Sequence, residues 1–211
     1  MKAVIVSNGN ITDYEYIKDM VNDKFVICCD GAINHCINMD INPRIWVGDK
    51  DSCILNDKDF ERYTANCKVI KLNPQKDMTD TEYAFDVAIQ NGFDEITLIG
   101  ALGSRFDHTI ANLYLLKKVS DKVKSVCIVD EKNVIFPIEK HNVIHKGNFK
   151  YVSIIPLSEK LCGVTTTGLF YELDNATLEK YTSKGVSNEM TQDVAVIDVD
   201  TGDGVIILSG D

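Results

Sequence analysis

The chain has 211 residues, of which 22 are Lys or Arg and 32 are Asp or Glu, so its formal net charge is −10. This acidic balance argues against nucleic acid as a partner, because nucleic-acid binders present a basic surface to the phosphates. No apolar stretch approaches the roughly 20 residues that a membrane-spanning helix needs, so no membrane partner is expected. The opening stretch MKAVIVSNGN predicts a first β-strand rather than a signal peptide.

Seven cysteines are spread along the chain without a C-x-x-C pair. An odd number without that spacing fits neither a disulfide framework nor a zinc ribbon. We therefore expect reduced thiols, mostly buried as small apolar side chains, and a cytoplasmic location. Cys28, Cys29 and Trp46 lie in strand-like runs, which favours a place in the core for all three.

Residues 1–132 alternate short β-branched runs with helical segments. The runs are almost continuously apolar, which is typical of parallel strands covered on both faces. They comprise residues 3–6, 25–29, 45–47, 69–72, 96–99 and 125–129. Alternating strands and helices predict an α/β fold, with a three-layer parallel sheet and right-handed crossovers.

Several helix starts are marked by side chains that can bind free backbone amides. Residues 12–15 and 79–82 both have the capping-box pattern, which predicts Thr12 and Thr79 as N-caps. Asp107 is predicted to cap a helix over residues 108–119, which carries an apolar stripe.

The pattern changes in residues 133–211, where short strand-like runs are separated by turn residues. The runs comprise residues 134–137, 151–155, 163–167, 194–198 and 205–208. Only residues 176–181 show a weak helical pattern. This part of the chain predicts a separate, small antiparallel β-sandwich.

Acidic residues follow two neighbouring strands of the predicted sheet. Asp49 and Asp51 come after the third strand, and in an extended segment a spacing of two places both carboxylates on one side. Asp77 and Asp80 flank the start of the next helix. Carboxylates at the ligand-binding edge of a parallel sheet repel one another unless a cation neutralises them, so the set predicts a Mg²⁺ site. Each Asp taken singly is explained as well by helix capping or loop solvation.

A glycine-rich segment joins the fifth strand to the next helix. Gly100 and Gly103 would let the backbone approach a phosphate, Arg105 could bind that phosphate through two N–H groups, and His108 could contact phosphate or base. His108 is explained equally well as a surface residue of the first helical turn. The segment is neither a Walker A loop nor a dinucleotide fingerprint, since G-x-x-x-x-G-K-[ST] and G-x-G-x-x-G are both absent.

Taken together, these motifs resemble the thiamine pyrophosphokinase (thiamine diphosphokinase) family in order and spacing across nearly the whole chain. The matching blocks are Asp30-Gly-Ala, Pro43-x-x-x-x-Gly48-Asp49-x-Asp51-Ser52, Pro74-x-x-Asp77-x-Thr79-Asp80, Gly100-x-x-Gly103-x-Arg105-x-Asp107-His108-x-x-Ala111-Asn112, Thr167-Gly168-Leu169-x-Tyr171 and Ser183-x-Gly185-x-Ser187-Asn188.

The resemblance implies an enzyme that transfers a diphosphate from ATP to the hydroxyl of thiamine, giving thiamine diphosphate and AMP. It implies an ATP-binding catalytic domain over residues 1–132 and a thiamine-binding domain over residues 133–211. It also implies a homodimer whose active sites are shared between subunits. The expected chemistry is in-line attack of the thiamine hydroxyl on the β-phosphorus, helped by charge neutralisation.

Site residues are carried over by the same resemblance. Mg²⁺ would be held by Asp49, Asp51 and Asp80. The ATP site would be lined by Lys76, Thr79, Gly100, Gly103, Arg105, Asp107 and His108. Thiamine would be held by Ser187, Asn188 and Tyr171. Asp30 and Asp77 are alternative candidates for accepting the hydroxyl proton. Some family members have Gln where Lys76 stands, so the role of this charge is open.

Three alternatives remain on the sequence alone. Asp49 could be the nucleophile of a Mg²⁺-dependent phosphohydrolase, but the glycine-rich segment would then have no explanation. The chain could instead be a diphosphokinase acting on a pterin-like heterocycle. It could also be a sensor that binds nucleotide or thiamine without forming AMP, although a sensor has no need of the carboxylate set.

Overall fold

In the computed structural model, which describes residues 1–103 and 105–211, the chain divides into two compact units. The N-terminal unit is Met1–Glu131 and the C-terminal unit is Lys132–Asp211. Within the described part of the chain, no helix is both long and apolar enough to cross a membrane.

The N-terminal unit is built on a parallel sheet in the order β6-β5-β1-β2-β3-β4. Its strands are β1 (Lys2–Val6), β2 (Phe25–Cys29), β3 (Ile45–Gly48), β4 (Lys68–Lys71), β5 (Glu95–Ile99) and β6 (Ser125–Val129). Every neighbouring pair in this order runs parallel. The predicted α/β class is therefore confirmed.

Helices cover both faces of this sheet. They are α1 (Tyr14–Val21), α2 (Ile33–Asn38), α3 (Asp57–Tyr63), α4 (Asp80–Gln90) and α5 (Phe106–Ser120). Side chains of α1, α2 and α3 form one core with the inward residues of β1 to β3, among them Trp46, which is fully buried as predicted. Helix α4 contacts β1, β2 and β3 through the alternate residues of those strands, which face the other way. The result is the expected three-layer arrangement.

One of the predicted helix caps is confirmed and two are wrong. Thr79 caps α4, its hydroxyl accepting the N–H of Glu82 at 3.2 Å. Helix α1 is capped by Asp13 instead of Thr12, because the backbone N–H groups of both residues are bound by the carboxylate of Glu131.

Asp107 is not the cap of α5. The helix begins at Phe106 with Arg105 at the N-cap position, and Asp107 lies within its first turn. The carboxylate of Asp107 pairs with the guanidinium of Arg105 through two hydrogen bonds. The charge pair therefore outweighs the capping preference that the sequence pattern suggested.

Strand β4 departs from the expectation of strands buried on both faces. It lies at the edge of the sheet, and Val69 remains 37% exposed. Lysines at both ends of the strand, Lys68 and Lys71, are typical of an edge that must stay in water.

The C-terminal unit consists of antiparallel strands. They are β7 (Asn133–Pro137), β8 (His141–His145), β9 (Tyr151–Pro156), β10 (Lys160–Thr167), β11 (Ala176–Glu179), β12 (Asn188–Glu189), β13 (Val194–Asp198) and β14 (Gly204–Ser209). Within the unit they pair in the orders β12-β9-β14-β7 and β11-β10-β13-β8. Buried side chains from both groups, such as Ile154, Leu161 and Ile206, share one core, as in the predicted β-sandwich.

Three strands of this unit were not predicted from the sequence: β8, β11 and the two-residue β12. The helical pattern at residues 176–181 is wrong, because Ala176–Glu179 pairs with β10 and buries Leu178 completely. Strand β8 has a polar residue at an inward position, which hid its alternation. That residue, Asn142, is buried because its amide donates to the carbonyls of Ile197 and Glu139.

A substitution at Gly168 would test how closely the sandwich is packed. Its φ is +76°, and a Cβ there would lie 2.4 Å from the carbonyl oxygen of Val194. We expect Gly168→Ala to lower the free energy of unfolding by about 1–3 kcal/mol, since both the backbone conformation and the contact become strained. Urea unfolding would measure the change.

Gly147 supplies the matched control, because a Cβ there would have no atom within 4 Å and its φ is not in the left-handed region. Gly147→Ala should change the free energy of unfolding by no more than about 0.5 kcal/mol. Equal effects at the two positions would contradict the packing argument.

Candidate functional site

Three carboxylates gather where β2 and β3 end. Asp30, Asp49 and Asp51 each offer an oxygen within 4.8 Å of the other two. Strands β2 and β3 are parallel neighbours, so the residues that follow them share one edge of the sheet. Asp49 and Asp51 were predicted together from the sequence, whereas Asp30 joins the group in the fold. We call these three residues the acid cluster.

The carboxylate of Asp30 organises the loop that carries the other two acids. One oxygen accepts the backbone N–H of Lys50 at 2.7 Å, and the other accepts the N–H of Ser52 at 2.9 Å. Lys50 has a φ of +74°, so the segment is not extended as the sequence pattern predicts. The turn at Lys50, rather than strand periodicity, brings Asp49 and Asp51 to the same place, and the N–H of Asp51 binds Asp49 Oδ1 at 3.2 Å.

Asp30 itself is tightly enclosed. The indole N–H of Trp46 donates to its backbone carbonyl at 3.0 Å, and its own φ is +41°. A Cβ at Gly48 would lie 2.7 Å from the Asp30 carboxylate, so only glycine leaves room at the end of β3. Burial raises the pKa of Asp30, an effect that the N–H groups of Ser52 and Lys50 oppose.

Lys76 bridges the acid cluster to the start of α4. Its ammonium lies 3.2 Å from Asp49 Oδ2 and 3.0 Å from Asp80 Oδ1, and its side chain is only 18% exposed. Burial disfavours the charged forms of both Lys76 and Asp49. The contact between these two groups, the hydrogen bond from Lys76 to Asp80 and the hydrogen bond from the Asp51 N–H to Asp49 together outweigh the effect of burial. The pKa of Lys76 is therefore raised and that of Asp49 lowered.

The carboxyl of Asp80, at the start of α4, is partly buried. Burial raises the pKa of its carboxyl, while Lys76 acts in the opposite direction. Asp80 Oδ1 is a buried oxygen that faces the Lys76 ammonium at 3.0 Å. A buried carboxylate oxygen that already faces a positive charge, beside an all-oxygen cluster, suits a hard divalent cation such as Mg²⁺.

A cleft of about 200 Å³ opens beside these acids. It is lined by the residues that follow β1, β2 and β5 and by the starts of α4 and α5. Among the predicted site residues, its lining includes Asp30, Thr79, Asp80, Gly100, Gly103, Arg105 and His108. Asp77 is exposed and belongs neither to this lining nor to the acid cluster among the described residues.

The glycines of the cleft have a packing role. The N–H of Gly9 binds the carbonyl of Gly100 at 2.7 Å, so the loops after β1 and β5 run against each other. Gly100 has a φ of +60°, and a Cβ there would lie 2.2 Å from the carbonyl oxygen of Ser7. At Gly103 a Cβ would approach the backbone nitrogen of Asn10 to 2.9 Å. The adjoining loop is therefore sufficient reason for both glycines, whatever ligand they also contact.

Arg105 and Asp107 form an exposed two-bond pair at the start of α5. Nε of Arg105 lies 3.2 Å from one carboxylate oxygen of Asp107, and Nη2 lies 2.6 Å from the other. The Arg105 guanidinium lowers the pKa of Asp107 to about 2. His108 follows on the exposed side of the same turn.

Some residues around the cleft were not singled out from the sequence. The hydroxyls of Ser7 and Thr81 share a buried hydrogen bond of 2.7 Å. Nε2 of His35 donates to the carbonyl of Gly9 at 2.8 Å, and its Nδ1 therefore accepts from the hydroxyl of Tyr14. Ser7 follows a strand, which was a usable signal. His35 lies on α2 at no motif position, so only the fold reveals it.

The predicted thiamine residues lie together in the C-terminal unit. The ring of Tyr171 is 68% exposed and meets that of Phe170 edge-on, with centroids 4.8 Å apart. The amide of Asn188 is buried and is used on the backbone of Tyr171, accepting its N–H at 3.0 Å and donating to its carbonyl at 2.8 Å. Ser187 is exposed, has a φ of +58°, and donates its N–H to Ser153 Oγ.

Comparison with known proteins agrees with this arrangement. Residues 17–128 match the family described as thiamin pyrophosphokinase, catalytic domain, and residues 140–206 match its vitamin B1 binding domain. Thiamin pyrophosphokinase 1 of Caenorhabditis elegans is 30% identical over 181 residues, which span 80% of this chain and 72% of that protein. Thiamine pyrophosphokinase of Bacillus subtilis is 34% identical over 119 residues, or 55% of either chain.

Solved structures extend the likeness to the whole fold. The crystal structure of thiamine pyrophosphokinase from Bacillus subtilis superposes with a TM-score of 0.88 at 27% identity, covering 100% of both chains. The enzyme from Geobacillus thermodenitrificans gives a TM-score of 0.86 at 28% identity and covers 100% of this chain and 98% of its own. By sequence and by fold, the chain belongs to the thiamine pyrophosphokinase family.

Proposed function

We propose that this chain transfers the diphosphate of ATP to the hydroxyl of thiamine, giving thiamine diphosphate and AMP. The observation that carries the proposal is the group of carboxylates and Lys76 beside the cleft, in a chain that belongs to this family. The N-terminal unit is the proposed ATP-binding catalytic domain. The C-terminal unit is the proposed thiamine-binding domain, which its match to a vitamin B1 binding domain supports.

The proposed metal ligands are Asp49, Asp51 and Asp80, with Asp30 holding the loop that carries the first two. Asp49 and Asp51 belong to the all-oxygen acid cluster, and Asp80 Oδ1 is a buried carboxylate oxygen that faces the Lys76 ammonium, so both observations support this choice. When bound with ATP, Mg²⁺ would offset the negative charge of the phosphates. The acid cluster would otherwise repel ATP, so a divalent cation is also an electrostatic requirement of this site.

The remaining cleft residues would hold the nucleotide. Arg105, oriented by Asp107, offers N–H groups that match two phosphate oxygens. Thr79 at the start of α4 and the backbone around Gly100 and Gly103 line the same space, with His108 at its margin. Fixed donors of this kind stabilise charge that develops on the transferred group and on AMP.

In the proposed reaction the thiamine oxygen forms a bond to the β-phosphorus as the bond from that phosphorus to the AMP oxygen breaks. The hydroxyl proton would pass to a carboxylate. Between the two candidates, Asp30 lines the cleft and belongs to the acid cluster, whereas Asp77 is exposed and apart from the cleft lining. We therefore assign the base to Asp30.

For thiamine, Tyr171 offers an exposed ring on which an aromatic heterocycle can stack. Asn188 would act largely by fixing the backbone of Tyr171, because its amide is used there. Ser187, held in a left-handed conformation next to it, presents its hydroxyl to solvent and would contact the heterocycle directly.

Incubating the protein with Mg²⁺, ATP and thiamine should yield AMP and thiamine diphosphate in equal amounts. Chromatography of the products at several times would measure both. Release of phosphate without thiamine would support a phosphohydrolase instead. Diphosphate transfer to a hydroxymethylpterin but not to thiamine would support the pterin alternative, and binding without AMP would indicate a sensor.

In the same assay, Asp49→Asn should turn over about 100-fold more slowly or worse. The neutral amide is a weaker ligand for Mg²⁺ than the carboxylate, so less positive charge is held against the phosphates in the transition state. Asp19→Asn, on the exposed side of α1, is the control and should retain activity. Similar activities for the two variants would refute the role of Asp49.

Tyr171→Ala should raise the KM for thiamine about 10-fold and leave the KM for ATP nearly unchanged, because only a stacking surface is lost. Tyr181→Ala is the control, since this ring is 83% exposed on the same unit. Steady-state kinetics with each substrate varied would separate the two effects. An unchanged KM for thiamine in Tyr171→Ala would discard the C-terminal site.

The proposed assembly is a homodimer with active sites shared between subunits, as the family resemblance implies. Thiamine is kept well below the wild-type KM, where Tyr171→Ala alone should retain about a tenth of the wild-type rate. Asp49→Asn and Tyr171→Ala chains, co-expressed with different tags, should then reach about a quarter of the wild-type activity per active site, because random pairing leaves that share of sites intact. Activity no higher than that of either variant alone would argue that each subunit works by itself.

The proposed location is the cytoplasm, which the seven free cysteines support. Cys28, Cys29 and Cys36 are buried. Burial raises the pKa of Cys29 well above its usual range, with the charge of Asp80 acting in the same direction, as expected for an inert structural thiol.

A further inference from the structure

The charge on Lys76 is the feature of the site whose role the sequence left open. Its ammonium lies between Asp49 Oδ2 and Asp80 Oδ1, at 3.2 Å and 3.0 Å, and its side chain is largely buried. These are two of the three proposed metal ligands. Lys76 therefore occupies the position between two carboxylates at which a cation is needed.

An ammonium and a metal ion cannot use these oxygens in the same way. The ammonium holds its carboxylate oxygens at 3.0–3.2 Å, whereas Mg²⁺ requires oxygens at about 2.1 Å. Asp80 lies outside the group of acids whose oxygens come within 4.8 Å of one another. Lys76 thus neutralises the pair while keeping Asp80 apart from the acid cluster.

A second lysine, Lys50, lies close to the acid cluster in the chain, yet among the described residues its ammonium does not lie between two carboxylates as that of Lys76 does. Lys50 is part of the loop between Asp49 and Asp51, yet its ammonium pairs with the exposed carboxylate of Asp57 and lies 4.8 Å from the ring centroid of Phe60. Its charge is therefore directed away from the acid cluster, and it provides a natural comparison.

We propose that Lys76 is the resident counter-ion of the acid cluster, which keeps a divalent metal from binding strongly until nucleotide arrives, and that Lys76 then exchanges its carboxylates for the phosphates. The inference rests on the proposed function, because it assumes that Asp49 and Asp80 hold a metal with ATP. It makes Lys76 a positioning residue that couples entry of the metal to entry of the nucleotide.

The coupling follows from charge. Without nucleotide, a metal must displace the ammonium, which would be left partly buried without its carboxylate partners. With nucleotide, the phosphates supply new partners for the ammonium, so the carboxylates become available. Metal and nucleotide therefore bind more tightly together than either binds alone.

Binding of Mn²⁺, followed by the electron paramagnetic resonance signal of the free ion, tests this without catalysis. Without nucleotide, Lys76→Met should bind Mn²⁺ about 10-fold more tightly than the wild type, because a positive charge next to the ligands is removed. Lys50→Met should bind Mn²⁺ as the wild type does. With α,β-methylene-ATP, whose α–β bridge resists cleavage, the wild type should gain more Mn²⁺ affinity than Lys76→Met.

Unchanged or weaker Mn²⁺ binding by Lys76→Met would overturn the inference, as would wild-type binding that is equally tight with and without the analogue. Lys76→Gln serves if circular dichroism shows that the Met variant is unfolded, and the wild-type comparison needs no variant. Failure here leaves AMP formation from ATP and thiamine unaffected, so it is distinguishable from failure of the proposed function.

Discussion

The two hydrogen bonds from the loop after β3 to the carboxylate of Asp30 underlie the geometry of the site. They force the turn at Lys50 and so deliver Asp49 and Asp51 to one point at the end of the sheet. Asp30 can accept both because Gly48 leaves the space and because Trp46 anchors its carbonyl from inside the core. The acid cluster is therefore tied directly to the packing of the sheet.

Three of the six non-glycine residues with positive φ in the described part of the chain lie at the proposed site. Asp30, Lys50 and Ser187 all have positive φ without being glycine, a conformation that costs free energy unless neighbours enforce it. Here the neighbours are identifiable: the Asp30 carboxylate for Lys50, and Ser153 Oγ for Ser187. Such rigidity reduces the reorganisation needed when substrates bind.

The balance of charges at the acid cluster connects the structure of the site to its proposed chemistry. Carboxylates brought so close repel one another, and Lys76 relieves that repulsion at Asp49 and Asp80. A cation bound by the same carboxylates would attract a triphosphate to the site. In the exchange proposed above, the site contains its own cation, which a metal and a nucleotide would replace together.

The sequence alone predicted the α/β unit, the sandwich and the family, because apolar periodicity and motif spacing are local properties that survive in one dimension. It also placed Asp49, Asp51 and Asp80 among the important acids. It failed where a contact between distant segments prevailed. Glu131 binds the backbone N–H groups of Thr12 and Asp13, and Asp13 rather than Thr12 caps α1; pairing with β10 made residues 176–179 a strand. Only the tertiary structure could bring Asp30 into the acid cluster and Lys76 between two carboxylates, since distances across neighbouring strands depend on packing rather than on spacing along the chain.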